Sequence, residues 1–446
     1  MTTPHAGAAT IDAGSIDIGP IVIVGAGVIG CSIAFDLAQR GHAVTVVDKG
    51  PGPGAGSTSA SSAVVRYSYS TLDAVKLSWE SGLLWRQWPA FLGIDDPSGF
   101  ARFIQTGLLI LDSPMTGIDK VRGHFDTVGV RYEEFTAEEI AARFPQIDVG
   151  RYFPPRTLED PEFWDEGTGL LGGYLIPDAG YVDDPALAAH NLMVAAEHHG
   201  ATFRFRAPVT AIKRERGRVT GVVLQDGQRL PATVIVNAAG PHSRQVNALA
   251  GLADSGGIAT RALRQEVHSL AAPTGTSSEL GVAVADSDLG TYFRPHLGDT
   301  IIVGGVEPEC DPLEWIDDAD DYTPTPTTAA WEVQTTRLAK RMPAVSVPMR
   351  PSGVAGLYDV SDDWMPVYDR TDLEGYYTAI GTSGHQFKNA PMVGRLMAEL
   401  IEACEAGHDH DVSPVQVAGP ITGNVIDIGH FSRRRTQHST TNSVLG

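Results

Sequence analysis

The chain has 446 residues and a formal net charge of −21, from 33 basic and 54 acidic residues. So acidic a surface repels phosphate backbones and anionic lipids, which argues against nucleic-acid and membrane partners. Three cysteines are too few and too scattered for a disulfide framework or a metal site, and we predict neither. Residues 1–19 lack the basic and apolar regions of a secretory signal, so we expect a disordered lead on a cytoplasmic protein without a membrane span.

Residues 21–50 carry a strand–helix–strand unit. A continuous apolar run over 21–24 is typical of a buried parallel strand. Apolar residues recur at helical spacing from 29 to 38, and a second apolar run over 44–47 predicts the next strand.

The turn between the first strand and the helix reads Gly25-x-Gly27-x-x-Gly30. Gly25 allows the tight turn, Gly27 lets the backbone approach a pyrophosphate, and Gly30 lets the helix pack close to the strand. Asp48 ends the second strand, where a carboxylate binds a ribose hydroxyl. The unit predicts a dinucleotide site, but by itself it does not separate FAD from NAD. Its further predicted contacts are Val28, Ile29 and Lys49.

A long loop of small and hydroxylated residues follows, over 50–70. A compact NAD-binding fold would pass directly into its next helix at this point. Small residues let the backbone approach a bulky planar ring, and hydroxyls offer donors for phosphate oxygens, so the loop favours FAD. The alternative is a flexible surface linker. The predicted contacts here are Gly56, Ser57, Thr58, Ser61 and Ser62.

Later segments add antiparallel strands over 203–230 and a hairpin over 291–305, with buried strands that run into glycine turns at 233–240 and 375–403. The pattern predicts a mixed α/β fold in which a Rossmann-type FAD-binding domain is assembled from three chain segments beside an antiparallel-sheet substrate-binding domain. We assign 20–70, 175–250 and 351–435 to the first domain, 71–174 and 251–350 to the second, and 436–446 to a tail.

The segment 307–326 is strongly acidic and has no metal-ligand spacing. We interpret it as a solvated loop. Its carboxylates are Glu307, Glu309, Asp311, Glu314, Asp317, Asp318, Asp320 and Asp321.

Several ordered motifs together resemble the D-amino acid oxidase superfamily, especially its glycine oxidase and monomeric sarcosine oxidase branch. The likeness covers most of residues 20–435 and implies an FAD-dependent oxidoreductase. The motifs are GAGVIG with Asp48, GSTSASS, PDAGYVDDP, VNAAGPHS, YFRP with IIVGG, GLYDVSDDWMP and GTSGHQFKNAPMVGRLMAELI.

The resemblance implies further FAD contacts. Val209 would contact the adenine region through its backbone, and Ala238–Gly240 would line the FAD. The turn from Gly384 to Lys388 would direct backbone N–H groups toward the pyrimidine end of the flavin. Reduced flavin is negative there, and a helix N-terminus stabilises such charge. These contacts are Val209, Ala238, Ala239, Gly240, Gly384, His385, Gln386, Phe387 and Lys388.

On the substrate side, Arg66 and Lys388 match positions that hold the substrate carboxylate in sarcosine oxidases. Such a pair over an apolar pocket would orient the amine-bearing carbon against flavin N5. Tyr292 and Tyr358 match pocket-lining tyrosines of the same branch. The alternatives are surface cations and half-buried core tyrosines.

The chain departs from the family pattern in two ways. Gly356 and Ala60 stand where covalently linked relatives carry the Cys or His that bonds the flavin, so we expect noncovalent FAD. The residues 301–303 are apolar where sarcosine oxidases place an oxygen-activating lysine. This departure favours a dehydrogenase, with O2 or another electron acceptor both left open.

The leading hypothesis is an enzyme that oxidises the C–N bond of an amino acid or N-alkyl amino acid to an imine, by hydride transfer to flavin N5 and then hydrolysis. A D-amino acid or 2-hydroxy acid is the alternative substrate. A noncatalytic FAD-binding scaffold is the alternative of another class, although a scaffold does not need paired cations. The sequence leaves monomer and homo-oligomer open.

Overall fold

The computed structural model describes residues 18–116, 118–252, 259–273 and 281–445. Residues 1–17 of the predicted lead and Gly446 of the predicted tail lie outside these ranges. Ile18 is buried, and its carbonyl accepts a hydrogen bond from the Thr233 hydroxyl. The described end of the lead therefore packs against the fold.

The first sheet carries the nucleotide-type segments. With strands and helices numbered in chain order, its members are β1 (Ile21–Val24), β2 (Val44–Val47), β9 (Thr202–Arg204), β13 (Val234–Asn237), β20 (Val367–Arg370) and β21 (Tyr376–Ile380). Their spatial order is β20-β21-β13-β1-β2-β9, and only the β20–β21 pair is antiparallel. Every residue of β1, β13 and β21 is buried, as expected for parallel strands that are covered on both faces.

The described α-helices are α1 (Val28–Gln39), α2 (Leu72–Trp85), α3 (Trp88–Leu92), α4 (Ile118–Val128), α5 (Ala137–Arg143), α6 (Pro185–His198), α7 (Ser243–Leu249), α8 (Thr328–Arg341) and α9 (Ala390–Glu405). Helices α1, α6, α7 and α9 pack against strands of the first sheet. Helix α1, which follows the glycine turn, also packs against α6 and α9.

A second, larger sheet is mainly antiparallel. Its described strands are β5 (Leu108–Leu111), β6 (Glu133–Phe135), β7 (Gly173–Ile176), β14 (Thr260–Ala271), β15 (Ala283–Asp286), β16 (Thr291–His296), β17 (Thr300–Gly305), β18 (Glu314–Ile316) and β19 (Gly353–Ser361). They run in the order β18-β14-β17-β16-β15-β5-β7-β6, and β19 also pairs with β14. The β5–β15 pair is parallel.

Three small sheets complete the described strands. One joins β3 (Val64–Val65), β8 (Gly180–Val182) and β4 (Phe103–Ile104), another joins β10 (Val209–Glu215), β11 (Arg218–Leu224) and β12 (Arg229–Pro231), and the last pairs β22 (Gln416–Ala418) with β23 (Val425–Asp427).

The predicted fold class is confirmed: a Rossmann-type sheet drawn from separated chain segments stands beside an antiparallel sheet. The domain limits stay a proposal. Two strands do not follow these limits. Strand β7 crosses the 174/175 limit. Strand β19 pairs along β14 of the larger sheet, although the sequence assigned it to the FAD-binding domain.

The interpretation of 307–326 as a solvated loop is wrong in part. The segment contains β18, which pairs with β14, and Ala319 is buried. Apolar residues between the carboxylates, such as Trp315 and Ala319, give the segment a face that packs while its acids stay mainly outside.

Candidate functional site

A cavity of about 580 Å³ lies at the carboxyl ends of β1, β2 and β13. Ligands of open parallel sheets bind at this edge. The larger sheet forms the facing wall through Gln265 and Val267 of β14 and Leu357 and Tyr358 of β19. Both sheets therefore contribute to one site.

The glycine turn forms the floor of the cavity. Gly25 has φ +113°, and a Cβ there would collide with the Ala238 carbonyl. A Cβ at Gly30 would collide with the Gly25 carbonyl, so Gly30 permits close packing and does not itself line the cavity. Gly27, Val28 and Ile29 do line it. The turn thus leaves exposed backbone at a helix N-terminus, which suits a pyrophosphate.

Asp48 lies beside this turn, half-buried on the cavity wall. Its carboxylate accepts hydrogen bonds from the backbone N–H groups of Ala26 and Gly50, each at 2.6 Å. Asp48 therefore fixes the turn as well as facing the cavity. Lys49 lines the same wall and forms an ion pair with Asp320, so the acidic segment closes over this end of the site.

All five predicted residues of the small-residue loop line the cavity: Gly56, Ser57, Thr58, Ser61 and Ser62. Thr58 Oγ1 accepts the N–H of Val28 at 3.1 Å, which ties the loop to the start of α1. Ser57 donates its hydroxyl proton to the Leu357 carbonyl at 2.6 Å. The Ser57 hydroxyl proton is thus engaged within the protein in this structure, and its role as a phosphate donor stays a prediction.

The segments matched by resemblance also converge here. Val209 at the start of β10, Ala238–Gly240 after β13, and Gly384, Gln386 and Phe387 before α9 line the cavity. His385 and Lys388 line a neighbouring, smaller cavity. The two positions singled out for covalent attachment meet as well, because a Cβ on Gly356 would lie 2.8 Å from that of Ala60.

These features fit FAD. The cavity combines a phosphate-type turn, a carboxylate at the end of β2 and small residues facing the second sheet. Sequence reasoning missed other lining residues, including Pro208, His242, Gln245, Ala319 and Tyr322. His242 belongs to the VNAAGPHS motif but was not singled out, whereas the other four lie outside the motifs and are brought together only by the fold.

The smaller cavity, of about 50 Å³, adjoins the larger one and shares Ser61, Ser62, Tyr358, Gly384 and Phe387 with it. All four residues predicted for the substrate side line it: Arg66, Tyr292, Tyr358 and Lys388. Two glycines make room for the tyrosines. A Cβ at Gly304 would lie 2.6 Å from the Tyr292 ring, and one at Gly384 would collide with the Tyr358 ring.

Both cations are buried, Arg66 at 5% and Lys388 at 3% exposure. Lys388 Nζ donates to the Tyr69 hydroxyl at 2.9 Å and to the His385 carbonyl at 2.6 Å. Arg66 donates to the carbonyls of Ser68 and Val444 and lies 4.4 Å from the centre of the Tyr69 ring. Within the described ranges, neither cation forms an ion pair with a carboxylate.

Burial dominates the electrostatics of this pair. It lowers the pKa of the Lys388 ammonium well below its ordinary value, and the nearby Arg66 charge lowers it further. Burial likewise lowers the pKa of Arg66. Two basic groups are held in a dry pocket without an acidic partner from the described chain, and an anionic ligand would stabilise their charged forms.

Sequence reasoning also missed several residues that line the smaller cavity, among them Val444 and Leu445 in the predicted tail. Glu307, grouped with the solvated acids, has its Oε1 excluded from solvent. One signal was available, because Glu307 directly follows the apolar run that includes Val306 and ends the predicted hairpin.

The sequence of residues 20–400 matches the family described as FAD dependent oxidoreductase. The chain belongs to this family. The predicted family resemblance and the predicted FAD cofactor are thereby confirmed, since the match spans both the glycine turn and the last glycine-rich segment.

Individual relatives are distant. FAD-dependent oxidoreductase domain-containing protein 1 of Xenopus laevis is 26% identical over 85% of this chain and 78% of its own length. A D-amino acid dehydrogenase of Methylobacterium nodulans is 23% identical over 87% of this chain and 97% of its own.

Two solved structures share the fold. L-proline dehydrogenase from P. horikoshii superposes with a TM-score of 0.70 at 24% identity, covering 87% of this chain and 98% of that one. Glycine oxidase from Geobacillus kaustophilus gives a TM-score of 0.67 at 22% identity, with coverages of 93% and 98%. Across the described residues, the helices are all too short or too polar to cross a membrane.

Proposed function

We propose that this oxidoreductase oxidises the C–N bond of an amino acid or N-alkyl amino acid to an imine, which water then hydrolyses. The observation that carries the proposal is the pair of buried cations, Arg66 and Lys388, in the smaller cavity that adjoins the FAD-type cavity. FAD, when bound in the larger cavity, would supply the acceptor for the hydride.

The cations select the carboxylate of the substrate. Arg66 presents a planar set of donors suited to a carboxylate, while Lys388 acts as a compact charge. A bound carboxylate would offset the mutual repulsion of the two cations and restore the pKa of Lys388 toward its ordinary value. Anchoring one end of a small substrate fixes the adjacent carbon, which favours reaction with a partner that is itself held in place.

The tyrosines supply neutral polar walls. Burial raises the pKa of both Tyr292 and Tyr358, so each hydroxyl keeps its proton across the physiological range and can donate to the substrate. Leu108 and Phe293 make the rest of this cavity apolar and keep water from the reacting carbon.

The relatives support this substrate class without fixing it. The name of the P. horikoshii enzyme points to a cyclic secondary amino acid, and that of the Methylobacterium nodulans relative to D-amino acids. The latter favours a D-amino acid as the second candidate. We further propose noncovalent FAD and, from the buried apolar residues Ile301, Ile302 and Val303, an acceptor other than O2.

Anaerobic titration of the FAD-loaded protein tests the function. The panel contains secondary and N-methyl amino acids, both enantiomers of primary amino acids, 2-hydroxy acids, and amines that lack the carboxylate. We expect the flavin absorbance to bleach with carboxylated amines and to persist with uncarboxylated ones. Bleaching by simple amines at equal rates, or by 2-hydroxy acids alone, would contradict the proposal.

A further inference from the structure

Glu307 is an acidic residue whose carboxyl group is partly shielded from solvent. It follows β17 with φ +51°, a left-handed conformation that is costly for a residue with a Cβ. The residue as a whole is partly exposed, but its Oε1 is shielded from solvent and has no hydrogen-bond partner among the described residues. Burying such an atom without a partner is unfavourable unless a ligand completes it.

The surroundings of Glu307 connect it to the smaller cavity. Its Oε2 accepts the N–H of Val444 at 2.7 Å. The other titratable groups that face it are Tyr292 from β16, Tyr358 from β19 and Asp311 from the turn that follows. The two tyrosines and Val444 all line the smaller cavity. The carboxyl of Glu307 therefore lies against the wall of this cavity.

The main chain of Val444 joins this acid to the cation pair. Its nitrogen donates to Glu307, and its carbonyl accepts from Arg66 Nη2 at 2.7 Å. Nitrogen, α-carbon and carbonyl carbon of one residue have the connectivity of an α-amino acid. A group with an amino acid's backbone thus already spans from a buried carboxyl to a buried guanidinium.

We propose that Glu307 binds the amine of the substrate, so that an α-amino acid replaces the Val444 main chain with its carboxylate on Arg66 and its nitrogen on Glu307. This inference rests on the proposed function and adds the residue that recognises the amine. Ionised Glu307 takes one proton from the substrate ammonium, which leaves a neutral amine and a protonated carboxyl. A lone pair on that nitrogen is what the departure of a hydride from the adjacent carbon requires.

The pH dependence follows from burial, which raises the pKa of Glu307 to about 8. Near neutral pH, Glu307 without substrate is protonated and the substrate amine is an ammonium. Their complex holds one proton fewer, so binding releases a proton. Relative to a deaminated analogue that engages Lys388 in the same way, amino acid affinity should therefore rise with pH, by up to about tenfold per pH unit. A deaminated carboxylate releases no proton, and its affinity should fall as Glu307 ionises beside it.

Glu307→Gln in the FAD-loaded full chain tests the inference, with Glu309→Gln at an exposed position as the matched control. We expect Glu307→Gln to raise the amino acid KM by about 10- to 100-fold and to remove its pH slope. The Kd of the deaminated analogue, read from the flavin spectrum, should change by less than about threefold, since that ligand uses the cations. A wild-type KM and slope in Glu307→Gln overturn the inference, as does an equal loss for both ligands.

The outcomes separate this inference from the proposed function. Failure of every amino acid to bleach wild-type flavin refutes the function, whereas bleaching with an unaltered Glu307→Gln variant refutes only the role of Glu307. If Glu307→Gln does not fold, wild-type protein decides the matter. A ratio of amino acid affinity to analogue affinity that rises with pH supports the inference, and a ratio that does not change with pH overturns it.

Discussion

Arg66→Met removes one buried cation while keeping a side chain of similar length. Arg66 is 5% exposed and makes its hydrogen bonds to main-chain carbonyls, so the substitution breaks no ion pair within the described chain. The carbonyls of Ser68 and Val444 lose a donor, which should lower the free energy of unfolding by about 1–3 kcal/mol. We expect the variant to fold and to retain FAD, because Arg66 does not line the larger cavity.

The larger effect should fall on carboxylate binding. One charge-assisted hydrogen bond in a dry site contributes about 1.5–3 kcal/mol, which corresponds to about 10- to 100-fold in Kd. A second effect opposes the first, because the Arg66 charge lowers the pKa of Lys388. Without Arg66 the pKa of Lys388 rises. The loss of carboxylate affinity that accompanies deprotonation of Lys388 should therefore move to higher pH in the variant.

The assay is an anaerobic titration with a simple carboxylate, followed through the flavin spectrum, together with the KM of the best substrate. Arg261→Met is the control, since Arg261 is exposed and likewise lies over an aromatic ring, 4.3 Å from the centre of Trp315. Lys388→Met and the double variant complete a cycle, in which coupling between the cations appears as non-additive losses. An unchanged carboxylate Kd in Arg66→Met would refute the assigned role.

Three further predictions concern the cofactor and the tail. Asp48→Ala should raise the Kd of FAD by about 10- to 100-fold, because the substitution also leaves the N–H groups of Ala26 and Gly50 without their acceptor. The control is Asp95→Ala at an exposed position. Equal Kd values for the two variants would show that Asp48 does not contribute to FAD binding. Acid precipitation should release all FAD into the supernatant, since Gly356 and Ala60 have no atom that can bond it, and flavin retained on the denatured chain would contradict this. Ending the chain after His438 should lower the amino acid KM by up to about tenfold, as Val444 no longer competes, whereas a raised KM would make the tail part of the binding site.

The parts of the fold that the sequence predicted share a local cause. Apolar runs and helical spacing predicted β1, α1 and β2, because strands covered on both faces consist mainly of apolar residues. The hairpin of β16 and β17 followed from its Gly298-Asp299 turn, and both residues have positive φ in the structure. The pairing of β14 with β19 could not be predicted in this way, since partners so far apart in the chain leave no local signal.

The same distinction between local and long-range causes applies to the residues of the candidate site. Residues within ordered motifs, such as Gly25, Asp48 and Lys388, were found because each motif serves one local geometry. Glu307 was misassigned because its neighbours in sequence are acidic and exposed, while its own carboxyl turns inward at a positive φ. A single backbone conformation decided its environment, and composition does not report it. The contacts of Val444 depend on the path of the whole tail.

The ionisable groups around the smaller cavity explain why an amino acid would bind more tightly than a ligand with only its carboxylate or only its amine. Arg66 and Lys388 are buried without an acid, and Glu307 is buried without a cation; within the described residues they form no ion pair with one another. Each buried group without a partner weakens the free site, and a ligand with only one of the two functional groups serves only one side. An amino acid supplies both, a carboxylate for the cations and an amine that shares one proton with Glu307. If the cations and Glu307 act together, the amino acid should bind more tightly than the deaminated acid. The difference in binding free energy should exceed about 1 kcal/mol, the contribution of an exposed amine contact. This excess should vanish in Glu307→Gln. An excess that persists in that variant would locate amine recognition elsewhere, with the tyrosines as the remaining polar walls.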